Sequence, residues 1–410
     1  QRRVVPQKRH RADIRPGREA RGRRAGHALT SEPRQAIELG RCGRLERRPS
    51  AQFVEPFVGG AVGDNEGILH TPSVSRFAFG CPPPLLAGVS HVPSHPGFDP
   101  NGPAATDAFF GLESDARASG IVLRAAPYEG TVSYAGGTRS GPSAMRAASL
   151  QVDLVDAHFG PVWKAGIAEL DAVVPSSGDD QDRIGEDLRD RIRQATRASL
   201  EAGRVPGLLG GEHSVTLGAI EACAEHAGEL GVIQIDAHMD LRHAYEGHSF
   251  SHASVSRNVL ERCPRVTRLV QVGIRDWCEE EAAYADAQGD RVAVLSDAEI
   301  WDHLDRGGSA RGLFRAAIDP LPERVYVTFD IDGLEPALCP STGTPVPGGL
   351  SFNQAACLLQ EVVASGRQVV GFDLVEVAPG PDGNEWDANV GARVLYKLCG
   401  CAARSNGLMG

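Results

Sequence analysis

From about residue 119 onward, short apolar runs alternate with helical stretches, and that alternation restricts the chain to one class of fold. The runs are Ile121-Val-Leu-Arg, Val205-Pro-Gly-Leu-Leu, Gly231-Val-Ile-Gln-Ile, Thr267-Arg-Leu-Val-Gln-Val, Arg291-Val-Ala-Val-Leu, Val325-Tyr-Val-Thr-Phe and Gln368-Val-Val-Gly-Phe. Each is nearly continuous rather than alternating, as strands covered on both faces require. Helical patterns fill the intervals near 182–202, 215–228, 252–262, 278–288, 309–318 and 351–365. The alternation predicts a three-layer α/β/α architecture with a mostly parallel central sheet, spanning 119–405. In such folds ligands sit at the carboxyl ends of the strands.

The chain upstream has a different texture. Residues 1–50 hold 15 Arg/Lys against 5 Asp/Glu, so a local +10 leaves the remainder at −21 of the total −11. An acidic body speaks against nucleic acid as the main partner. The basic segment shows no hydrophobic period and is interrupted by Asp13, Glu19, Glu32, Glu38 and Glu46, unlike a transit peptide. It reads as a disordered extension, or as sequence outside the native reading frame. Residues 51–118 are Gly/Pro-rich and are expected to be irregular, wrapping the domain without a core of their own. No apolar run reaches the ~18 residues of a membrane span, so no membrane partner is expected. Nine cysteines without a CxxC pair read as free thiols in a reducing, cytoplasmic setting. Cys399 and Cys401 flank Gly400, where a redox pair is conceivable, but tail thiols on or near a last helix are the simpler reading.

The chemistry gathers where the strands end. Gly231-Val-Ile-Gln-Ile runs into Asp236-Ala-His238-Met-Asp240, and Val325-Tyr-Val-Thr-Phe runs into Asp330-Ile-Asp332. Val205-Pro-Gly-Leu-Leu leads to Gly210-Gly-Glu-His213, and Gln368-Val-Val-Gly-Phe leads to Asp373-Leu-Val-Glu376. Strand ends of a parallel sheet share one edge, and residues two apart in extended chain face the same side. These groups can therefore converge. A single DxD after a strand commonly caps the next helix, and a lone His213 could be a capping or core residue. The joint placement makes coincidence a poor explanation. Four carboxylates packed together need compensating positive charge. Four carboxylates with two imidazoles and no thiol suit Mn(II), with Fe(II), Co(II) and Zn(II) as competitors. Shared carboxylates can bridge two ions at ~3.5–4 Å.

At these residues the sequence resembles the ureohydrolase family of arginase, agmatinase and formimidoylglutamase. The matching blocks are Gly210–His213, Asp236–Arg242, Val327–Pro336, Thr342–Gly349 and Gly371–Pro379, with an entrance-loop likeness at Pro127–Pro142. The resemblance implies two Mn(II) ions per subunit. His213 and Asp240 would complete one shell, His238 and Asp332 the other, with Asp236 and Asp330 bridging. It implies that Glu376 accepts a guanidinium and that His252 shuttles protons, with His248 as a rival. It further implies a homo-oligomer, commonly built from trimers. Two positions depart from the family pattern: Glu335 in the third acidic place of the Asp330 block, and Ser341 before Thr342-Gly-Thr-Pro. Neither removes an expected ligand.

The implied reaction is hydrolysis of a guanidino compound to urea and an amine. Two divalent ions would generate hydroxide near neutral pH. Glu376 would hold the planar cation. Asp332 or a neighbouring acid would pass a proton to the leaving amine, and His252 would exchange protons with solvent. Tyr245–His252 looks most like the agmatinase branch, which points to agmatine as substrate and putrescine as product. Arg242 complicates this, because an arginine at the mouth could clamp the carboxylate of formimidoylglutamate or a guanidino acid. Its simpler role is an internal ion pair, with Glu246 nearby in sequence. Readings from other classes are a one-zinc deacetylase-like amidohydrolase, which would use a tandem His pair that is absent here, and a non-catalytic family member, which would be expected to have lost ligands. A Rossmann dehydrogenase is disfavoured by the lack of GxGxxG after a first strand.

Overall fold

The computed structural model describes residues 98–104, 106–113 and 115–409. The expectations for 1–50 and for most of 51–118 lie outside the described residues. In chain order the elements are β1 (Ile121–Ala126), α1 (Gly141–Ser149), β2 (Ile167–Leu170), α2 (Gln181–Glu201), β3 (Val205–Gly210), α3 (Thr216–Ala227), β4 (Leu230–Ile235) and α4 (Val255–Arg262). They continue with β5 (Val266–Ile274), α5 (Glu279–Ala287), β6 (Val292–Ser296), α6 (Asp297–Asp305), α7 (Ala310–Ile318), β7 (Arg324–Asp330), α8 (Phe352–Ala364), β8 (Gln368–Val375) and α9 (Trp386–Ser405). The strands form one sheet in the order β2-β1-β3-β8-β7-β4-β5-β6. Every pairing is parallel. Among the described residues no helix is long and apolar enough to cross a membrane.

Strands β3, β4 and β8 are buried at every position, which is why their sequences are nearly continuous apolar runs. Their side chains still alternate between two faces. Ile233 and Ile235 of β4 pack with Phe314 of α7, Leu359 of α8 and Leu395 of α9. Val232, one position away, packs on the other face with Ile192 of α2, Ile220 of α3 and Val259 of α4. Residues just before β1 join the first of these cores: Phe109, Phe110 and Leu112 are buried, and the Phe110 ring lies 4.7 Å from that of Tyr396.

Four elements appear that the apolar pattern did not mark. Strand β2 has four residues at the sheet edge. Helix α1 starts on Gly141-Pro142, so its first turn looks like loop sequence. Helix α6 follows β6 with no linker, and Ser296 and Glu299 form a capping box at the junction. Helix α9 is buried nearly all round, so its pattern lacks a polar face. Cys399 and Cys401 lie inside it, both buried and free.

The order of strands decides where the site falls. The chain runs outward through β4, β5 and β6, then returns to lay β7 and β8 between β4 and β3. The four strands whose ends carry the candidate site residues thus become the adjacent middle four. Register pairs Ile235 with Phe329, so Asp236 and Asp330 emerge side by side. Just past β3, Gly211 is wedged in this edge. Its N–H donates to the Ala126 carbonyl and its own carbonyl accepts from Glu376 N. A Cβ there would stand 1.7 Å from the carbonyl oxygen of Tyr128. Gly211→Ala is therefore expected to cost roughly 1–3 kcal/mol through backbone overpacking. Thermal unfolding should show a Tm lowered by several degrees, and an unchanged Tm would show that this backbone gives way freely.

Candidate metal centre and its surroundings

Six side chains from the ends of three strands, β3, β4 and β7, meet at the sheet edge. His213 opens a 3-10 turn after β3, and its Nδ1 lies 3.0 Å from Asp240 Oδ2, 3.1 Å from Asp236 Oδ2 and 3.3 Å from Asp330 Oδ2. His238 Nδ1 lies 3.1 Å from Asp332 Oδ2 and 3.6 Å from Asp236 Oδ1. Two groups with metal-ligand spacing result: His213, Asp236 and Asp240, and Asp236, His238 and Asp332. Asp236 belongs to both. Asp330 stands beside the first group, with Oδ1 accepting from Asp332 N at 2.9 Å.

The electrostatics call for positive charge at the centre of the cluster. The four carboxylates are all at least 95% buried. Among the described residues no Lys or Arg side chain forms an ion pair with them. Burial, then Asp332 and Asp236, push Asp330 well above the ordinary carboxylate range. Burial and the neighbouring Asp236 raise Asp240 to about 7. Burial resists ionisation of Asp236, yet His213 and His238 hold it low. Burial likewise opposes the charged imidazoles, yet Asp332 and Asp236 push His238 up to about 12, and three carboxylates push His213 well up. Divalent cations at the centre would satisfy the same carboxylates without protons. His213 fits that role: its Nδ1 is buried with no hydrogen-bond partner, while its Nε2 is engaged by Thr328. The donor set of carboxylate oxygens and imidazole nitrogens matches a hard or borderline divalent metal.

Around this cluster the other expected residues take distinct places. Glu376 follows β8 at φ 61, a left-handed conformation held by Glu376 N donating to Gly211 and Thr342 Oγ1 donating to the Glu376 carbonyl. Its Oε1 accepts from His213 N at 2.7 Å, and Oε2 has no protein partner among the described residues. Burial, then Glu212, raise its carboxyl well above the ordinary value. His252 sits against the entrance loop, with Nδ1 3.3 Å from Thr131 Oγ1 and Nε2 3.5 Å from Ser133 Oγ. Burial lowers its pKa. His248 faces Asp182 instead, at 3.6 Å. A cavity of about 290 Å³ opens over His238, Asp240 and His252, with Tyr134, Arg242 and Trp277 also in its wall. The ion-pair partner of Arg242 is Glu281 at 3.7 Å, in place of the expected Glu246, and its guanidinium stacks 4.8 Å from the Tyr245 ring. Glu335 is exposed, and Ser341 is held through its backbone N–H by Asp387 at 2.8 Å.

The structure adds residues that the sequence reading left without a role. Glu212 is fully buried and accepts from Gly130 N, Thr131 N, Thr131 Oγ1 and Ser214 Oγ at 2.6–2.8 Å. It ties the entrance loop to the turn that carries His213. Gln234 Nε2 donates to Asp236 Oδ2 at 2.8 Å, and Gln234 Oε1 in turn accepts from Gln271 and Ser256. A glutamine inside a doubly buried strand was the available signal, since a buried amide must find partners.

This geometry has relatives. The Arginase family model matches residues 119–400. The N(1)-aminopropylagmatine ureohydrolase of Thermococcus kodakarensis is 32% identical over 285 residues, covering 69% of this chain and 91% of that protein. The agmatinase of Bacillus subtilis is 33% identical over 281 residues, covering 68% and 90%. The solved agmatine ureohydrolase of Thermoplasma volcanium superposes with a TM-score of 0.61 at 26% identity, covering 74% of this chain and 94% of that one. With the match running through all the strand ends described above, the chain belongs to the arginase family of ureohydrolases.

Proposed function

We propose that the chain hydrolyses a guanidino compound to urea and an amine, with agmatine as substrate and putrescine as product. The observation that carries this reading is a pair of His/Asp groups sharing Asp236, beside a buried glutamate with one free oxygen. His213 and Asp240 would hold one Mn(II), His238 and Asp332 the other, with Asp236 and Asp330 between them. Held there, the two ions supply the Lewis acidity that makes hydroxide available near neutral pH. Glu376 Oε2 binds the guanidinium by a charge-assisted hydrogen bond while Oε1 stays on His213 N. Asp332 accepts from Ala237 N at 3.0 Å through Oδ1, while its Oδ2 lies 3.1 Å from His238 Nδ1 and accepts from Thr344 Oγ1 at 3.4 Å. It is the proposed proton donor to the leaving amine. His252 exchanges protons with solvent from the mouth of the cavity.

Agmatine is favoured over a guanidino acid or formimidoylglutamate because Arg242 is already committed to Glu281 and Tyr245. N(1)-aminopropylagmatine, which names the Thermococcus relative, shares the guanidinium and a cationic tail and belongs on the same panel. Urea release with added Mn(II) should be fastest on these cationic substrates. Faster turnover of formimidoylglutamate or guanidinobutyrate would overturn the choice.

Three variants test the roles. Asp236→Asn should abolish urea release and lose at least one metal per chain by elemental analysis. Near wild-type turnover with full metal would sink the assignment. Glu376→Gln should keep its metal and lose roughly 10- to 100-fold in kcat/KM, the worth of one hydrogen bond to a charged group. His252→Ala should lower kcat by about 10²–10⁴-fold with metal content unchanged, and free imidazole should restore part of it. Unaltered kcat would remove His252 from the proton path.

A further inference from the structure

Asp373 lies on β8 three residues before Glu376, fully buried, and the reaction outlined above gives it no task. Its Oδ1 accepts from Thr328 Oγ1 at 2.7 Å and from Phe329 N at 3.3 Å. Thr328 Oγ1 in turn lies 2.8 Å from His213 Nε2. A hydroxyl has one proton and can give it once. The backbone N–H on the same Oδ1 marks that oxygen as an acceptor, so the Thr328 proton goes to Asp373. Thr328 Oγ1 must then accept from His213, which places the imidazole proton on Nε2. In the neutral imidazole that a metal requires, the lone pair is then at Nδ1, the atom that faces Asp236, Asp240 and Asp330 and has no hydrogen-bond partner.

We propose that Asp373 and Thr328 form a buried positioning relay that holds His213 as its Nε2–H tautomer, so that Nδ1 is presented to the metal ion of the first group. The proposal rests on the two-metal reading above. Metal-bound histidines ordinarily donate their second N–H to a carboxylate, carbonyl or water. Here a hydroxyl takes that place, and its direction is set by a carboxylate one step behind. Neither residue touches the metal or the substrate. Reversal of the hydrogen-bond chain is therefore as damaging as its loss.

The test is Mn(II) binding to the full-length metal-free chain, followed by calorimetric titration and by electron paramagnetic resonance of the bound ions. The wild-type chain should bind two ions. Thr328→Val should weaken one of them about 10- to 100-fold, the usual scale for losing a partner of a metal-bound histidine, and leave the other unchanged. Thr328→Ser keeps the hydroxyl and should bind both ions as the wild type does. Asp373→Leu should weaken the same ion as Thr328→Val, because it removes the acceptor that fixes the direction of the Thr328 hydroxyl. Circular dichroism and Tm establish that each variant is folded. Should Thr328→Val fail to accumulate, Asp373→Leu and Thr328→Ser carry the comparison alone. Folded Thr328→Val or Asp373→Leu with two wild-type affinities overturns the relay, as does Thr328→Ser binding no better than Thr328→Val. A wild-type chain that binds no pair of ions overturns the two-metal reading, and the relay with it.

Discussion

Four buried carboxylates meet two imidazoles, one buried and one half-buried, at one edge of a parallel sheet, and much of the surrounding structure serves to keep them there. An isolated buried charge carries a penalty of several kcal/mol even after relaxation. Backbone N–H groups offset part of it locally: His238 N donates to Asp236, Ala237 N to Asp332 and Asp332 N to Asp330, at 2.6–3.0 Å. These donors exist because the strands end at these residues and the chain turns, freeing N–H groups from the ladder. Gln234 adds a side-chain donor from inside β4. What remains is the charge at the centre, which the protein's own Lys and Arg leave uncompensated among the described residues.

The backbone also bends to this purpose. Among the described residues, two of the four non-glycine residues in left-handed conformation are Asp240 and Glu376. Such conformations cost on the order of 1–3 kcal/mol each and persist only where the surroundings fix them. At Glu376 both backbone groups are pinned, one by Gly211 and one by Thr342. At Asp240 the carbonyl accepts from Arg257 N at the start of α4. The strain therefore aims two carboxylates at a common point that regular strand geometry would miss.

The doubly buried runs made seven of the eight strands legible, and the i, i+2 rule made the Asp236 and Asp330 clusters legible with them. Both signals are local in sequence and depend only on burial and pleat. Helix α9 and strand β2 escaped because one is buried nearly all round and the other is four residues long. The supporting residues escaped for another reason: their partners lie far along the chain. Glu212 is 81 residues from Thr131, and Thr328 is 45 from Asp373. Arg242 shows the same limit. Glu246 is its neighbour in sequence, but the loop carries Glu246 in a left-handed turn while the start of α5 brings Glu281 to the guanidinium.

That exchange of partners bears on what the mouth can recognise. Glu281 is 3% exposed and already accepts from Leu241 N and Cys278 N. Its charge is thus fixed in place before Arg242 arrives, and Arg242 completes the balance from a position stacked on Tyr245. Drawing Arg242 away to a substrate carboxylate would leave a buried glutamate short of its counter-charge, a penalty set against any new ion pair. Asp276, also in the cavity wall, has no hydrogen-bond or ion-pair partner for its side chain among the described residues. With Arg242 neutralised and Asp276 unneutralised, the mouth carries net negative charge. On the proposed reading, a guanidino compound with a cationic tail would meet Asp276 favourably at the mouth, whereas an anionic tail would have to break the Arg242–Glu281 pair before it gained a partner.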